Sequence, residues 1–473
     1  MNVSKQAILV RDRDRETDAD PIELVPSEIV ERLDEYVIGQ DRAKKMVAIS
    51  VRNRWRRRQL SDEMRDEIQP KNIIMIGPTG VGKTEIARRL SDLVRAPFLK
   101  VEASKYTETG YHGRDVESMI RNLVDIGVDM VREEERETVR EDAREEAKER
   151  LLDLLLPDPP PGGTDDETAE ERKQRRKRNR RRMREKLEAG ELDDRRVEIE
   201  VDPDNTGMMQ VFSQAGMEEY GMNLDNLMGD MMPGGGGTST QKMPVPRALE
   251  VLADQEAEKL IDEEDVRRRG LERAAQSGMI FIDEMDKIVE GRKDDRAGAP
   301  EVSREGVQRE LLPIIEGSTV STPYGTVKTD HILFIASGAF HVSSPSDLIP
   351  ELQGRFPLRA ELDALDREDF VKILTHPRNA LITQYRALME TEDVQLEFTD
   401  DAIREMAGIA ATINENTQNI GARRLHTVVE KVVEEISFNA DRHGGETFTV
   451  DRSYVQDTLK DIVEDEDLAK YIL

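Results

Sequence analysis

Residues 72–94 constrain the fold more than any other stretch. Asn72-Ile73-Ile74-Met75-Ile76-Gly77 is a short apolar run closed by a glycine-rich turn, the mark of a buried parallel strand. Thr84 to Val94 then carries the periodicity of a helix. Between them lies Gly77-Pro78-Thr79-Gly80-Val81-Gly82-Lys83-Thr84, a complete phosphate-loop pattern. Its glycines let backbone N–H groups converge on a β-phosphate, and the helix N-terminus adds a positive dipole. Lys83 is expected to reach the β- and γ-phosphates, and the Thr84 hydroxyl to ligate Mg²⁺. A strand, loop and helix in this order belong to an α/β fold with a parallel sheet.

A second apolar strand, Met279-Ile280-Phe281-Ile282-Asp283, ends in acid and is followed by Glu284. Asp-Glu after such a strand is often no more than a solvated strand end. With a phosphate loop upstream, Asp283 is expected to hold the metal through its water shell and Glu284 to polarise the attacking water as general base. Arg355, in Pro350–Phe356, and Arg423, in Ile420–Leu425, are candidate cations near a γ-phosphate. Charge alone does not separate either from a surface arginine. Thr107-Glu108-Thr109-Gly110-Tyr111-His112-Gly113-Arg114 sets an aromatic among glycines between a strand and a helix. Such a loop suits gripping a partner, and it also suits a plain structural turn. No second His or Cys stands near His112, and His331, His341, His376, His426 and His443 are scattered, so no metal cluster is expected.

Composition narrows the class. The 473 residues suffice for two or three domains at ~100–200 residues each. The absence of cysteine excludes disulfide scaffolds, cysteine-based zinc sites and thiol nucleophiles, and fits a cytosolic protein. No apolar run approaches the ~18 residues of a membrane span. The start, Met1 to Lys5, leads into alternating Arg and Asp with no signal-peptide core, so a cytoplasmic location without membrane contact is expected. A net charge of −29 repels nucleic acid over most of the surface. The basic stretch Arg172–Lys186 is the exception, but no aromatics interleave with it and acidic stretches at 133–149 and 165–171 flank it. Charge pairing between packed helices accounts for it better than nucleic-acid binding.

Along the chain, residues 1–22 are too polar to pack and read as a flexible extension. A helical pattern opens at Pro26, and Phe98–Glu102 reads as a strand. A helix from Asp115 to about Val131 is followed by a charged helix over 132–156 and a break at Pro157–Thr164. From about 130 to 263 no strand alternates with helix, and a helical insertion with mobile, partly disordered loops is expected; this stretch includes seven methionines in 207–232 and the run Gly234–Gly237. After the 279–283 strand come a helix near Ser303–Glu316, a hairpin over Thr319–Val327, a buried strand at Ile332–Ser337, and mostly helix beyond 360. The expected domains are therefore an α/β domain over 23–129 and 264–360, a helical insertion over 130–263, and a mostly helical C-terminal domain over 361–473.

Taken together, these residues resemble the HslU (ClpY) family of AAA+ unfoldases, the ATPase partners of the HslV protease. The resemblance runs from about Pro26 to Leu473. It rests on Tyr36-Val37-Ile38-Gly39-Gln40, Asn53-Arg54-Trp55-Arg56-Arg57, the phosphate loop, Gly110-Tyr111-His112-Gly113, the Asp-Glu strand, Glu351–Arg355, Gly421–Leu425 and the tail Asp465–Leu473. It implies an AAA+ fold using ATP and Mg²⁺, in which Val37 and Ile38 contact adenine and the stretch Gly80, Val81, Gly82, Lys83, Thr84 and Glu85 wraps the phosphates. It implies that Arg355 acts in trans as an arginine finger with Glu351 beside the same interface, and that Arg423 is a sensor arginine. Tyr111, between Gly110 and Gly113, would line the pore of a homo-hexamer and act on unfolded or tagged protein substrates. Residues 130–263 would be the intermediate domain. Leu468, Tyr471, Ile472 and Leu473 of the tail would dock into an HslV-type peptidase. His112 stands where the family usually has a small aliphatic residue, and the N-terminal extension lies outside the family pattern. A ClpX-type unfoldase shares the pore motif but usually carries a cysteine-based zinc domain and an Ile-Gly-Phe-type loop, both absent here. A nucleic-acid motor or loader of the same superfamily is opposed by the net charge. A non-catalytic scaffold is opposed by intact Lys83, Asp283 and Glu284.

Overall fold

A computed structural model of the chain describes residues 24–106, 115–156, 169–201, 239–289 and 304–464. The N-terminal extension, the Tyr111 loop, the methionine-rich and glycine stretches and the tail from Leu468 lie outside the described residues. Contacts divide the chain into two compact units, Val131–Val266 and the remainder.

The first unit is built on a five-stranded parallel sheet in the order β2-β5-β8-β1-β9. Its strands are β1 (Ile73–Ile76), β2 (Phe98–Glu102), β5 (Met279–Asp283), β8 (Leu333–Gly338) and β9 (Leu358–Glu361). Every residue of β8 is buried, and β5 is buried up to Asp283. These runs are continuously apolar because strands of a parallel sheet are covered on both faces. Ile73, Met75, Phe281, Leu333 and Ile335 point to one face, where α1 (Pro26–Asp34), α2 (Asp41–Arg58, followed by the short α3, Asp62–Glu67) and α4 (Lys83–Leu93) bury Ile29, Leu33, Val47, Ile86 and Leu90 against them. β9 was not anticipated. Its four residues, Leu358-Arg359-Ala360-Glu361, carry too short an alternation to stand out beside the motif that precedes them.

A hairpin of β6 (Thr319–Thr322) and β7 (Gly325–Lys328) turns through Pro323 and Tyr324, as the sequence indicates. Beyond residue 360 the chain is mostly helical. The helices α11 (Arg367–Thr375), α12 (Leu381–Glu390), α13 (Asp400–Asn416), α14 (Arg423–Phe438) and α15 (Arg452–Glu464) enclose their own core around Phe370, Met406, Val429 and Leu459. A parallel pair, β10 (Gln395–Phe398) and β11 (Thr447–Val450), completes this region.

Two expectations for the second unit need correction. The segments read as separate helices over Asp115–Val131 and 132–156 form one continuous 38-residue helix, α5 (Ser118–Leu155). Only Gly127 interrupts its run of helix formers, and a single glycine costs a helix about 1 kcal/mol. The insertion also contains strands: β3 (Arg196–Val201) pairs antiparallel with β4 (Ser239–Pro244). Strict alternation in Val197-Glu198-Ile199-Glu200-Val201, buried on the valine and isoleucine side, was the legible signal. The ribbon packs with α7 (Val245–Leu260) and the end of α5 through Leu151, Ile199 and Leu252. The basic stretch lies in α6 (Ala169–Glu188), whose Arg180 bonds Glu149 and Asp153 of α5 and whose Arg184 bonds Glu145 and Glu149.

Within the first unit, α5 meets α8 (Glu263–Ser277) backbone to backbone. A Cβ on Gly270 would lie 2.6 Å from the Val128 Cα, and one on Gly127 would lie 2.7 Å from the Gly270 carbonyl oxygen. Gly270→Ala is therefore expected to lower stability by about 1–3 kcal/mol through overpacking. Gly354→Ala, where the same carbon meets nothing within 4 Å, is expected to leave the melting temperature in place. Equal melting curves for the two variants would refute the close crossing.

Candidate nucleotide site

The register of the sheet puts three strand ends level. Ile282 of β5 pairs with Ala336 of β8, and Met75 of β1 pairs with Ser337. The phosphate loop, Asp283-Glu284 and Ser337 thus converge at the carboxyl edge of the sheet, where open α/β sheets bind ligands.

Two glycines give the loop its shape. Gly80 and Gly82 have φ of +74° and +100°, a region that side chains disfavour. Gly82 immediately precedes α4, whose first residue is Lys83. Lys83 Nζ donates to the carbonyl oxygens of Gly77 at 2.6 Å and Pro78 at 2.7 Å. Burial lowers the Lys83 pKa; Asp283 and Asp286 pull it back up, and Arg423 adds to the lowering. An ammonium partly stripped of water and held by neutral carbonyls is ready to exchange them for phosphate oxygens. Val37 is buried against the loop, since a Cβ on Gly82 would lie 3.1 Å from Val37 Cγ1. The Val37 carbonyl accepts from buried Lys44 Nζ at 2.5 Å, which anchors that segment; Ile38 beside it is half-buried. The Glu85 carboxylate turns to Arg88 and Arg89 at 2.7 and 2.8 Å. Burial works against its ionisation, but the two arginines prevail and its pKa is lowered. Glu85 therefore offers the loop its backbone rather than its charge.

Asp283 is held on both carboxylate oxygens. Oδ1 accepts from Ser337 Oγ at 2.8 Å and from the Glu284 N–H at 3.1 Å, and Oδ2 pairs with Lys100 Nζ at 3.0 Å. Burial opposes its charge, yet these donors outweigh burial and keep its pKa below the ordinary carboxylate value. Glu284 has φ of +59°, rare for a residue with a side chain, and its Oε2 accepts from Ser104 Oγ at 3.1 Å. The sequence reading missed Lys100, Ser104 and Ser337. Lys100 and Ser337 become legible once β2 and β8 are known to flank β5, while Ser104 needed the coordinates.

The segment before α14 touches the loop directly. The Ala422 N–H donates to the Gly80 carbonyl oxygen at 3.0 Å. A Cβ on Gly80 would lie 2.0 Å from the Ile420 oxygen, and one on Gly421, φ +61°, 2.5 Å from the Thr79 oxygen. The two arginines that follow have different surroundings. Arg424 is buried, bonding Asn414, Thr417 and the Gln418 carbonyl, and burial lowers its pKa. Arg423 is exposed and close enough to Lys83 to affect its titration. Glu351 and Arg355 lie on a short helix, α10 (Pro350–Arg355), apart from this set. The Arg355 guanidinium pairs with Glu316 rather than with any residue of the loop.

Among the described residues no group of three or more His, Asp or Glu side chains could hold a metal by itself. One ionised carboxylate, Asp283, and one hydroxyl, Thr84, fit a hard cation that takes its other oxygens from phosphates and water, as Mg²⁺ does.

Comparisons with known proteins agree with this geometry. Residues 72–110 match the AAA domain (dynein-related subfamily) and residues 203–359 the AAA domain (Cdc48 subfamily). Over 455 residues the chain is 54% identical to the ATP-dependent protease ATPase subunit HslU of Myxococcus xanthus and 52% identical to that of Desulfotalea psychrophila. Each alignment covers 95% of this chain and 99% of the relative. The HslU of Magnetococcus marinus is 51% identical over 465 residues, with 95% of this chain and all of the relative covered. With half its residues shared across nearly its full length, the chain belongs to the HslU family of AAA ATPases.

Proposed function

We propose that this ATP hydrolase is a protein unfoldase that works as a cytoplasmic homo-hexameric ring and feeds an HslV-type peptidase. The observation that carries the hydrolytic part is the level placement of the phosphate loop with Asp283 and Glu284. In this reading the loop amides and Lys83 bind the β- and γ-phosphates of ATP, with Val37 and Ile38 against the adenine. Thr84 and Asp283 would hold Mg²⁺, which supplies charge neutralisation on the phosphate oxygens when bound. Glu284 takes the proton of the attacking water; its hydrogen bond from Ser104 and its left-handed backbone fix the carboxylate at the strand end. Arg423 adds positive charge from the C-terminal side, and Arg355, with Glu351 beside it, serves the pocket of a neighbouring subunit. Tyr111, flanked by Gly110 and Gly113, presses on a threaded substrate chain. Residues 130–263 form the intermediate domain, with the ATPase domain over 23–129 and 264–360 and the C-terminal domain over 361–473. The acidic-then-apolar tail, through Leu468, Tyr471, Ile472 and Leu473, docks into the peptidase.

The hydrolytic assignment is tested by separating binding from turnover. Glu284→Gln is expected to bind ATP normally but to lose roughly 10²–10⁴-fold in turnover, the usual contribution of a general base. Lys83→Ala should instead weaken binding itself by about 1.5–3 kcal/mol, the range of a hydrogen bond to a charged group. Near-normal turnover in Glu284→Gln would sink the role of Glu284.

The partner assignment is tested on the tail. Removal of Leu468–Leu473 is expected to preserve ATP hydrolysis and ring assembly while abolishing stimulation of peptide cleavage by the peptidase. A synthetic tail peptide should restore part of that stimulation only at high concentration, because six linked copies no longer reinforce one another. Undiminished stimulation by the truncated ring would remove the docking role.

A further inference from the structure

We propose that Glu316 is the positioning residue of Arg355: it clamps one edge of the guanidinium so that the other edge faces a neighbouring subunit's nucleotide. The inference rests on the reading of Arg355 as a residue acting in trans, and it adds what aims the side chain.

The geometry brackets Arg355 from two sides. Its backbone is tied to the sheet by Asn72, a buried side chain just ahead of β1. Asn72 Nδ2 donates to the Arg355 carbonyl oxygen at 3.1 Å, and Asn72 Oδ1 accepts from the Phe334 N–H of β8 at 3.1 Å. Its side chain is tied to Glu316, whose Oε1 accepts from Arg355 Nε at 3.0 Å and lies 2.8 Å from Nη2. A guanidinium carries five N–H donors in a planar fork. With Nε and Nη2 engaged, the Nη1 end stays available, and its direction is set by the clamp.

Glu316 is itself fixed in place. It is the last residue of α9 (Arg304–Glu316), an end where the helix dipole disfavours a negative charge and where no basic residue of the last turn compensates. Helix stability therefore does not explain a glutamate there. Gly317 follows with φ +118°, and a Cβ on it would lie 2.5 Å from Asp330 Oδ1. Thr329 Oγ1 donates to the Ile314 carbonyl oxygen and accepts from the Ser318 N–H, each at 2.8 Å. The carboxylate thus sits on a turn pinned on both sides.

Fold stability does not explain the pair either. The side chains are 41% and 37% exposed, and ion pairs at that exposure contribute little to folding. The same exposure leaves the guanidinium within reach of another chain. A free arginine would give up its rotamer freedom when it met the phosphate; here the clamp has removed that freedom beforehand.

The test compares Glu316→Gln with Arg355→Ala, each alone and each mixed with Glu284→Gln subunits under conditions where mixed rings are shown to form. Glutamine keeps the size of the side chain and loses the charge, so folding and assembly are expected to hold. Glu316→Gln alone should lower kcat roughly tenfold to a hundredfold, as displaced catalytic groups do, with KM for ATP unchanged. Mixing should restore hydrolysis for both variants, because an interface can then join an intact Glu284 on one subunit to an intact, clamped Arg355 on the next. Wild-type kcat in Glu316→Gln overturns the proposal, as does a loss that mixing fails to restore while Arg355→Ala is restored; the latter places Glu316 in its own subunit's chemistry. Failure of Glu316→Gln to fold would make the pair structural and overturns it too. If Arg355→Ala itself is not restored by mixing, the trans reading falls first and the clamp with it.

Discussion

The site depends on the burial of β8 between β1 and β5. An apolar strand with no exposed residue must have a partner along each edge, and here the partners carry the phosphate loop and the acidic pair. Parallel pairing in a single register then brings Ile74, Ala336 and Ile282 to the same height, one residue short of the Met75–Ser337 pair. The ladder that burial of β8 imposes thus sets the spacing of the phosphate loop and the acidic pair. Polar contacts refine what burial has set. Ser337, at the end of that same strand, is the donor to Asp283, and Asn72 ties the Phe334 amide to the Arg355 carbonyl.

The C-terminal helical region belongs to the site as well. Thr79, Gly80, Ile420, Gly421 and Ala422 approach through backbone atoms alone, and the contact tolerates no Cβ at either glycine. The contact also explains why Arg423 and Arg424 differ: one faces the loop, while the other holds the turn that delivers it.

Much of this was legible in the sequence where a local pattern carries the physics. The phosphate loop needs particular glycines and one lysine at fixed offsets, so it announces itself. The apolar runs at 72–77, 279–283 and 332–337 read as buried strands for the same reason. Other features were not legible. The short β9 has too few residues to show a period. Ser104, Lys100, Ser337 and Glu316 act through partners 39 to 183 residues away, and nothing in their immediate neighbours marks them. The ribbon strand Val197–Val201 differs: its alternation is plain in the residues, but the charged helical and methionine-rich segments around it mask the signal.

The strand order has a consequence for synthesis on the ribosome. β1 is complete at residue 76, yet both of its neighbours lie at 333–338 and 358–361. At ~5–20 residues per second, the apolar segment Ile73–Ile76 emerges on the order of 10–50 s before either edge can be paired. Through that interval the nascent chain carries a sticky, uncovered segment at its leading end while the whole insertion is still being made. A chain in that state is one that chaperones recognising exposed apolar segments can intercept.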